Sequence, residues 1–173
     1  MILGLGVILG SISLKIYSKN MEQKAVNSFE QKIEKKIEVE ELNIGDEIAL
    51  IEIESIGLNS VVIYGIENQY LNHYICHFEN TTMPGEYGNF SLAGHSSYRY
   101  NEVFNNLHKA NIGDKINIKT INEEFTYVIT EIFETEPENI EVLNQDNEIK
   151  EMTIVTCSNG GEDRLIVKAL IEE

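Results

Sequence analysis

Residues 151–172 read EMTIVTCSNGGEDRLIVKALIE, two runs rich in β-branched residues joined by a polar connection that contains glycines. The runs EMTIVTC and RLIVKALIE predict two strands, and the connection SNGGED predicts a turn between them. If these strands pair as a hairpin, Cys157 and Arg164 lie at the same end of a sheet, within a side chain's reach of one another. The sequence therefore predicts a β-hairpin that brings a thiol and a guanidinium together.

Similar strand patterns recur upstream of this hairpin. Ile51 and Ile53 alternate with Glu52 and Glu54, the period of two that is typical of a half-buried strand. The other predicted strands are 61–64, 89–95, 115–120 and 123–134, and one or two helical turns are predicted in 103–111. Short strands separated by turns at close intervals indicate a mainly β protein, an antiparallel or mixed barrel with little helix.

Composition narrows the class of protein further. A chain of 173 residues fits one ordinary domain plus a tail or an anchor. The net charge of -16, from 13 basic and 29 acidic residues, argues against a nucleic-acid partner. The sequence also contains no long block of Lys and Arg that could bind along a phosphate backbone. A hydrophobic content of 42% supports a packed interior, whereas two cysteines are too few for a disulfide scaffold.

The N-terminal part differs from the rest. Residues 1–14 carry no charge, and Lys15 and Lys19 close this apolar run. We interpret residues 1–19 as a membrane anchor, although a bilayer span needs about 20 apolar residues and the run is short. A cleaved signal peptide is the alternative, but the basic region that should precede the apolar run is missing.

Residues 20–43 are predicted to be a charged linker between this anchor and a domain formed by residues 44–173. Apolar residues occur in the linker at spacings of three and four, which would place them in one narrow stripe on a helix. These residues are Val26, Phe29, Ile33 and Ile37. A tether that holds the domain away from a surface is the simpler interpretation.

The hairpin suggests nucleophilic chemistry. A guanidinium beside Cys157 would favour the thiolate and could stabilise the oxyanion that forms when sulfur attacks a carbonyl. Sulfur also needs a proton carrier, because the leaving amine of an amide must be protonated. His95 is the best candidate, since it ends the predicted strand NFSLAGH and Ala93 and Gly94 leave room beside its ring. Taken singly, each residue has a simpler interpretation: Cys157 as a core cysteine, His95 as a surface histidine and Arg164 as a solvated arginine.

Together these motifs resemble the sortase family of Gram-positive cysteine transpeptidases over residues 44–171. TIVTC matches the family signature TLxTC with Ile154 in place of Leu, Arg164 matches the arginine that begins the next strand, and MPGEYGNFSLAGH matches the stretch before the catalytic histidine. The resemblance implies a sortase-type eight-stranded β-barrel with a few short helices. It also implies that Cys157 is the nucleophile, that His95 is the general acid and base, and that Arg164 positions substrate and stabilises the oxyanion.

The family also implies substrates and a location. A sorting signal of the LPxTG kind, at the C-terminus of a secreted protein, is cut between Thr and Gly, and an amine of a cell-wall precursor resolves the thioacyl enzyme. The expected location is the cell membrane, with the catalytic domain on the extracellular face. Lys15 and Lys19, which follow the apolar run, favour the opposite orientation.

Subclass is inferred from what the chain lacks. Pilin-polymerising sortases usually carry a lid with an Asp-Pro-aromatic motif, and residues 20–44 contain none. Class D fits best and class A is next. Some class A members bind calcium through acidic residues near the site, but a solvated acidic loop is the simpler interpretation here, and no cofactor is expected. The acidic residues concerned are Glu134, Glu136, Glu138, Glu141 and Asp146.

Other residues allow further hypotheses. His73, Cys76 and His77 lie close together in the sequence, yet a closed zinc site needs four ligands. A Cys76–Cys157 disulfide would consume the nucleophile. Predicted substrate contacts are Ala93, Ser96, Ile154 and Thr156, and Ser96 or Ser97 either orients the His95 ring or faces solvent.

Three other functions stay open: a pilin-polymerising sortase, a cysteine hydrolase, and a non-catalytic surface-binding module on the same barrel. The order His before Cys excludes the papain arrangement for a hydrolase.

Overall fold

A computed structural model describes residues 2–37, 41–96 and 103–172 of the chain. The strands are β1 (Glu47–Ile53), β2 (Leu58–Tyr64), β3 (Ile75–His77), β4 (Gly88–Ala93), β5 (Lys115–Lys119), β6 (Glu124–Thr135), β7 (Lys150–Ser158) and β8 (Asp163–Ile171). The helices are α1 (Ile2–Lys35) and α2 (Asn68–Leu71). Single 3-10 turns occur at Glu54–Ile56, Leu107–Lys109, Ile140–Leu143 and Asn159–Gly161. The predicted strands are confirmed.

The strands close into a barrel in the order β1-β2-β3-β4-β7-β8-β6-β5, with β5 pairing back onto β1. The β2–β3 and β4–β7 pairs are parallel and the other pairs are antiparallel. The eight-stranded mainly β fold expected from the family resemblance is therefore confirmed. Because β4 lies beside β7, the C-terminal ends of these two strands meet at one edge of the barrel.

Alternate residues of each strand point into the barrel, where they form its main apolar core. Tyr127 lies fully buried in this core, and its hydroxyl accepts a hydrogen bond of 2.8 Å from the amide of Gly85. Other fully buried members are Ile51, Ile53, Ile75, Leu92, Ile116, Ile118, Met152, Ile154 and Val167. The interior is thus filled by side chains, and any binding surface must lie on the outside of the barrel.

Helix α1 packs against the outer face of β1, β2 and β3. Val26 and Phe29 are 2% and 0% exposed, and they cover Val61, Ile63 and Cys76. Polar contacts flank this apolar cluster: Ser60 donates to the Glu22 carboxylate at 2.7 Å, and Lys32 pairs with Glu47 at 2.8 Å. Residues 20–35 are therefore a helix that packs on the barrel, which differs from a tether that holds the domain at a distance.

The structure follows the predicted stripe only in part. Ile33 is partly buried against the apolar cluster, whereas Ile37 lies beyond the helix and is exposed. Helix α1 also runs without a break across the predicted boundary between residues 19 and 20. Within the described residues, none of the helices has the length and apolar character needed to cross a membrane.

Candidate active site

Strands β7 and β8 form the predicted hairpin, and its register pairs Cys157 directly with Arg164. Both residues are half-buried. Directly opposed residues of an antiparallel pair have Cβ atoms about 4.5 to 5.5 Å apart and project to the same side of the sheet. The thiol and the guanidinium therefore leave neighbouring strands on one face, at one end of the hairpin.

The turn of the hairpin binds the guanidinium. Gly160 and Gly161 adopt φ values of 70° and 103°, a left-handed backbone that favours glycine. This turn presents the carbonyl of Gly161 to Arg164, whose Nη1 donates to it and to the Asp163 carbonyl, both at 3.1 Å. These bonds use Nη1, so the Nε and Nη2 donors of the planar fork point elsewhere and are suited to another acceptor.

His95 is brought beside Cys157 by the parallel β4–β7 pair, whose register matches Ala93 with Val155. Two side chains extend this pairing past the end of β4. The Thr156 hydroxyl donates to the Gly94 carbonyl at 2.7 Å, and the Ser96 hydroxyl donates to the Cys157 carbonyl. His95 lies between Gly94 and Ser96, so its backbone is held alongside Thr156 and Cys157.

The segment that begins at Val103 contacts His95 and Gly94. The amide of Phe104 donates to the His95 carbonyl at 3.1 Å. A Cβ at residue 94 would lie 2.7 Å from the Cδ2 and Cε2 atoms of Phe104, so only glycine allows this ring to approach so closely. Gly94 therefore makes room for Phe104, rather than for the imidazole as the sequence suggested.

Burial lowers the pKa of His95 below its ordinary value. Burial therefore favours the neutral form of this half-buried imidazole, which can accept a proton. A neutral base beside a thiol, with a cation on the neighbouring strand, is an arrangement suited to acyl transfer through sulfur.

Comparison with known proteins identifies the family of this chain. The family model of the sortase domain matches residues 51–172. The chain belongs to the sortase family. A sortase D5 transpeptidase of Clostridium perfringens is 47% identical, covers 89% of this chain and 99% of its own, and superposes with a TM-score of 0.81. The resemblance to class D sortases is thereby confirmed.

More distant sortases share the barrel. Sortase E of Streptomyces avermitilis is 29% identical, with a TM-score of 0.68 over 76% of this chain and 91% of its own. Sortase A of Streptococcus agalactiae is 27% identical over 71% of this chain. This chain spans about half the length of both curated relatives: 52% of that sortase A and 51% of sortase A of Bacillus anthracis.

The structure differs from the sequence prediction on two substrate contacts of this sortase. Ile154 is 0% exposed in the barrel core, and Thr156 is 3% exposed with its hydroxyl bound to the Gly94 carbonyl. Successive residues of a strand point to opposite faces, so both lie on the face opposite Cys157. A peptide on the outer face would therefore not contact them.

The outer face of the sheet carries other residues. Ala93 and Val155 are both half-buried there, and the β4–β7 register pairs them; Val155 was not singled out from the sequence. Val155 lies two positions before Cys157, so strand alternation alone could have found it. Ser96 is half-buried and bonds to the Cys157 backbone, whereas Ser97 lies outside the described residues.

The other predicted clusters of the sortase do not form a site. The acidic side chains Glu134, Glu136, Glu138, Glu141 and Asp146 are all exposed. Among the described residues, no group of three or more His, Cys, Asp or Glu side chains is placed to hold a metal ion. Both cysteines are free, so the Cys76–Cys157 disulfide is not present.

His77 and Cys76 point to opposite sides of β3. Cys76 lies under helix α1, where burial raises the pKa of its thiol to about 12. His77 lies between the Tyr64 and Phe90 rings, at centroid distances of 5.6 and 5.1 Å, and its Nε2 is 3.0 Å from both the Thr82 carbonyl and the Thr81 hydroxyl. His77 therefore has the structural role that the sequence favoured over metal binding.

Proposed function

We propose that this sortase is a cysteine transpeptidase that cleaves LPxTG-like sorting signals and transfers the acyl group to an amine of a cell-wall precursor. The observation that carries the proposal is the pairing of Cys157 with Arg164 across the hairpin, with His95 held alongside by the Ser96 and Thr156 hydrogen bonds. In this proposal Cys157 is the nucleophile, His95 the general acid and base, and Arg164 the oxyanion donor.

The first half-reaction forms a thioester. The neutral His95 imidazole takes the proton of the Cys157 thiol as sulfur attacks the carbonyl carbon of the Thr-Gly peptide bond. The oxyanion that results lies within reach of the Nε and Nη2 donors of Arg164. The imidazolium then returns its proton to the glycine amine, the carbon–nitrogen bond breaks, and the acyl group stays on sulfur.

The second half-reaction reverses these roles. An incoming amine attacks the thioester carbonyl, His95 takes a proton from the amine and returns it to the sulfur, the carbon–sulfur bond breaks, and Cys157 leaves as the thiol. The outer-face residues Ala93 and Val155 are proposed as the floor on which the peptide lies, since they share the face of Cys157. Water in place of the amine would make the same site a hydrolase.

The test uses the chain with LPxTG-type and LPxTA-type peptides, with and without an amine such as triglycine. We expect a thioacyl adduct on Cys157 by mass spectrometry, and a ligated product that increases with amine concentration. Cleavage that does not respond to amine would instead identify a hydrolase, and a folded chain that forms no adduct with any peptide would favour the binding module.

We also propose that the domain works at the cell surface, with residues 1–19 as its anchor. Sortases typically act at the surface of Gram-positive cells. Fractionation of cells that express the full chain, compared with a chain that begins at residue 20, tests this: the full chain should pellet with membranes and the shorter chain should not. Equal distribution of both chains would contradict the anchor.

A further inference from the structure

The connection between β6 and β7, residues 136–149, is fastened to the edge of β4 by one side-chain amide. The backbone amide of Asn89 donates to Gln145 Oε1 at 2.9 Å. Gln145 Nε2 donates in turn to the backbone carbonyl of Asn89 at 3.1 Å. β3 pairs with β4 only at Leu92 and Ala93, so Asn89 lies beyond that pairing. The Gln145 side chain thus takes the place that a neighbouring strand's peptide group would occupy.

Asn89 binds the connection in return. Its Nδ2 donates to the carbonyls of Val142 at 3.0 Å and Asn144 at 3.3 Å, and the residue is fully buried. Each amide side chain therefore bonds the backbone of the other's segment, an arrangement that we name the Asn89–Gln145 clasp. The buried side-chain amide of Asn89 is costly to leave unpaired, so the clasp favours one position of the connection.

A glycine makes the clasp possible. Gly88 adopts a φ of 126°, and a Cβ there would lie 2.8 Å from Gln145 Oε1 and 2.5 Å from Thr82 Cγ2. Any side chain at residue 88 would displace the Gln145 amide from its seat. The glycine at residue 88 and its backbone conformation therefore both fit the position of the Gln145 amide.

The clasp places the connection on the face that carries Cys157. Thr153 and Cys157 share the outer face of β7, and the Thr153 hydroxyl lies 3.4 Å from the same Val142 carbonyl that Asn89 binds. Four strand positions separate Thr153 from Cys157, which is about 13 Å at a rise of about 3.3 Å per residue. A peptide of about four residues that lay extended along β7 from Cys157 towards Thr153 would span the same length, and its far end would meet the connection. Ile140 in this connection is 75% exposed and offers an apolar contact.

We propose that Asn89 and Gln145 are positioning residues, which hold the connection as a fixed wall for the far end of the acyl-donor peptide. This inference rests on the proposed function. Because the clasp is remote from the sulfur, it sets peptide affinity and leaves the chemistry of Cys157 unchanged.

The experiment compares Gln145→Glu with Gln69→Glu in the full chain. Both glutamines are exposed and both changes add one negative charge, but only Gln145 is in the clasp. A carboxylate has no donor, so Gln145→Glu loses the bond from Nε2 to the Asn89 carbonyl and also the bond from Nε2 to the Leu143 carbonyl within the connection. With an LPxTG-type peptide we expect KM to rise roughly fivefold to tenfold, as for the one lost hydrogen bond that joins the connection to β4, with kcat within about twofold. Hydrogen exchange in 136–149 should become faster, and Gln69→Glu should change neither quantity.

A truncated peptide tests whether the effect on KM comes from contact with the connection. A peptide that keeps only the last two residues before the scissile bond should react at the same rate with wild type and with Gln145→Glu, because it does not reach the connection. An unchanged KM for the full peptide in an active Gln145→Glu chain would overturn the positioning role. Unchanged exchange in 136–149 would overturn the clasp by itself. A wild-type chain that reacts with no sorting peptide would instead overturn the proposed function, together with the positioning role, while exchange still decides whether the clasp holds the connection.

Discussion

The two cysteines of this chain occupy contrasting regions of one barrel. Cys76 is fully buried between β3 and helix α1, with a thiol pKa raised to about 12, whereas Cys157 is half-buried at the end of a hairpin and opposite Arg164. The two histidines nearest them differ in the same way, since His77 is fully buried and His95 is half-buried. We therefore expect the reactivity of each cysteine to follow its access to solvent and a neighbouring cation rather than residue type.

Substitution of each cysteine gives the largest expected difference. Cys157→Ala should abolish the thioacyl adduct, whereas Cys76→Ala should leave peptide turnover within about twofold and cost about 1 kcal/mol of stability from the small cavity left behind. Mass spectrometry of the adduct and urea unfolding measure the two quantities. Loss of the adduct in Cys76→Ala, with the fold intact, would remove the distinction between the two regions.

Removal of the cation should have the next largest effect. Arg164→Ala should lower kcat by about 10² to 10³, as for the loss of one oxyanion donor. Arg164→Lys keeps the charge but not the planar fork, so it should recover only part of the loss. The rates come from peptide cleavage followed by chromatography. Full activity of Arg164→Ala would contradict the role proposed for the guanidinium.

Exposure of the buried region should make Cys76 reactive. Phe29→Ala removes a fully buried ring from the interface of α1 with the barrel, and should lower the free energy of unfolding by about 3 kcal/mol. Labelling of Cys76 by a thiol reagent should become faster, while labelling of Cys157 should not change. Gln31→Ala, at an exposed position of the same helix, is the matched control. Equal labelling of Cys76 in both variants would mean that α1 does not protect it.

The last expected effect concerns pH. Burial lowers the pKa of His77 from 6.5 to about 4, and the Thr82 carbonyl and Glu86 offset this only in part. The folded state binds fewer protons than the unfolded state between these values, so stability should fall as pH drops from about 6.5 to about 4. Urea unfolding at several pH values measures this fall. It should be smaller in His77→Gln and unchanged in His108→Gln, whose side chain is exposed. An identical pH dependence in all three chains would contradict the role of His77.

Much of the fold and part of the site could be predicted from local sequence. Strand periodicity located every strand except the short β3, and the short connection SNGGED predicted that Cys157 and Arg164 would oppose one another. Both predictions depend on residues close in the chain, where turn length and side-chain alternation determine register. Alternation would also have excluded Ile154 and Thr156 from the outer face, had it been applied to them.

Other features could not be predicted because their partners are far apart in the chain. The apolar stripe of Val26 and Phe29 was visible, but the surface of β1 to β3 that it covers was not. The Asn89–Gln145 clasp likewise joins residues 56 positions apart and depends on where a long connection crosses the sheet.

The sequence by itself therefore determined seven of the eight strands, the hairpin and the candidate reactive residues. Only the tertiary structure decided that β4 pairs in parallel with β7, so that Ser96 reaches the backbone of Cys157 from 61 positions away. It also decided which cysteine is covered by α1. The physical reason is that hairpin register depends on a few neighbouring residues, whereas parallel pairing and helix packing depend on apolar burial summed over the whole barrel.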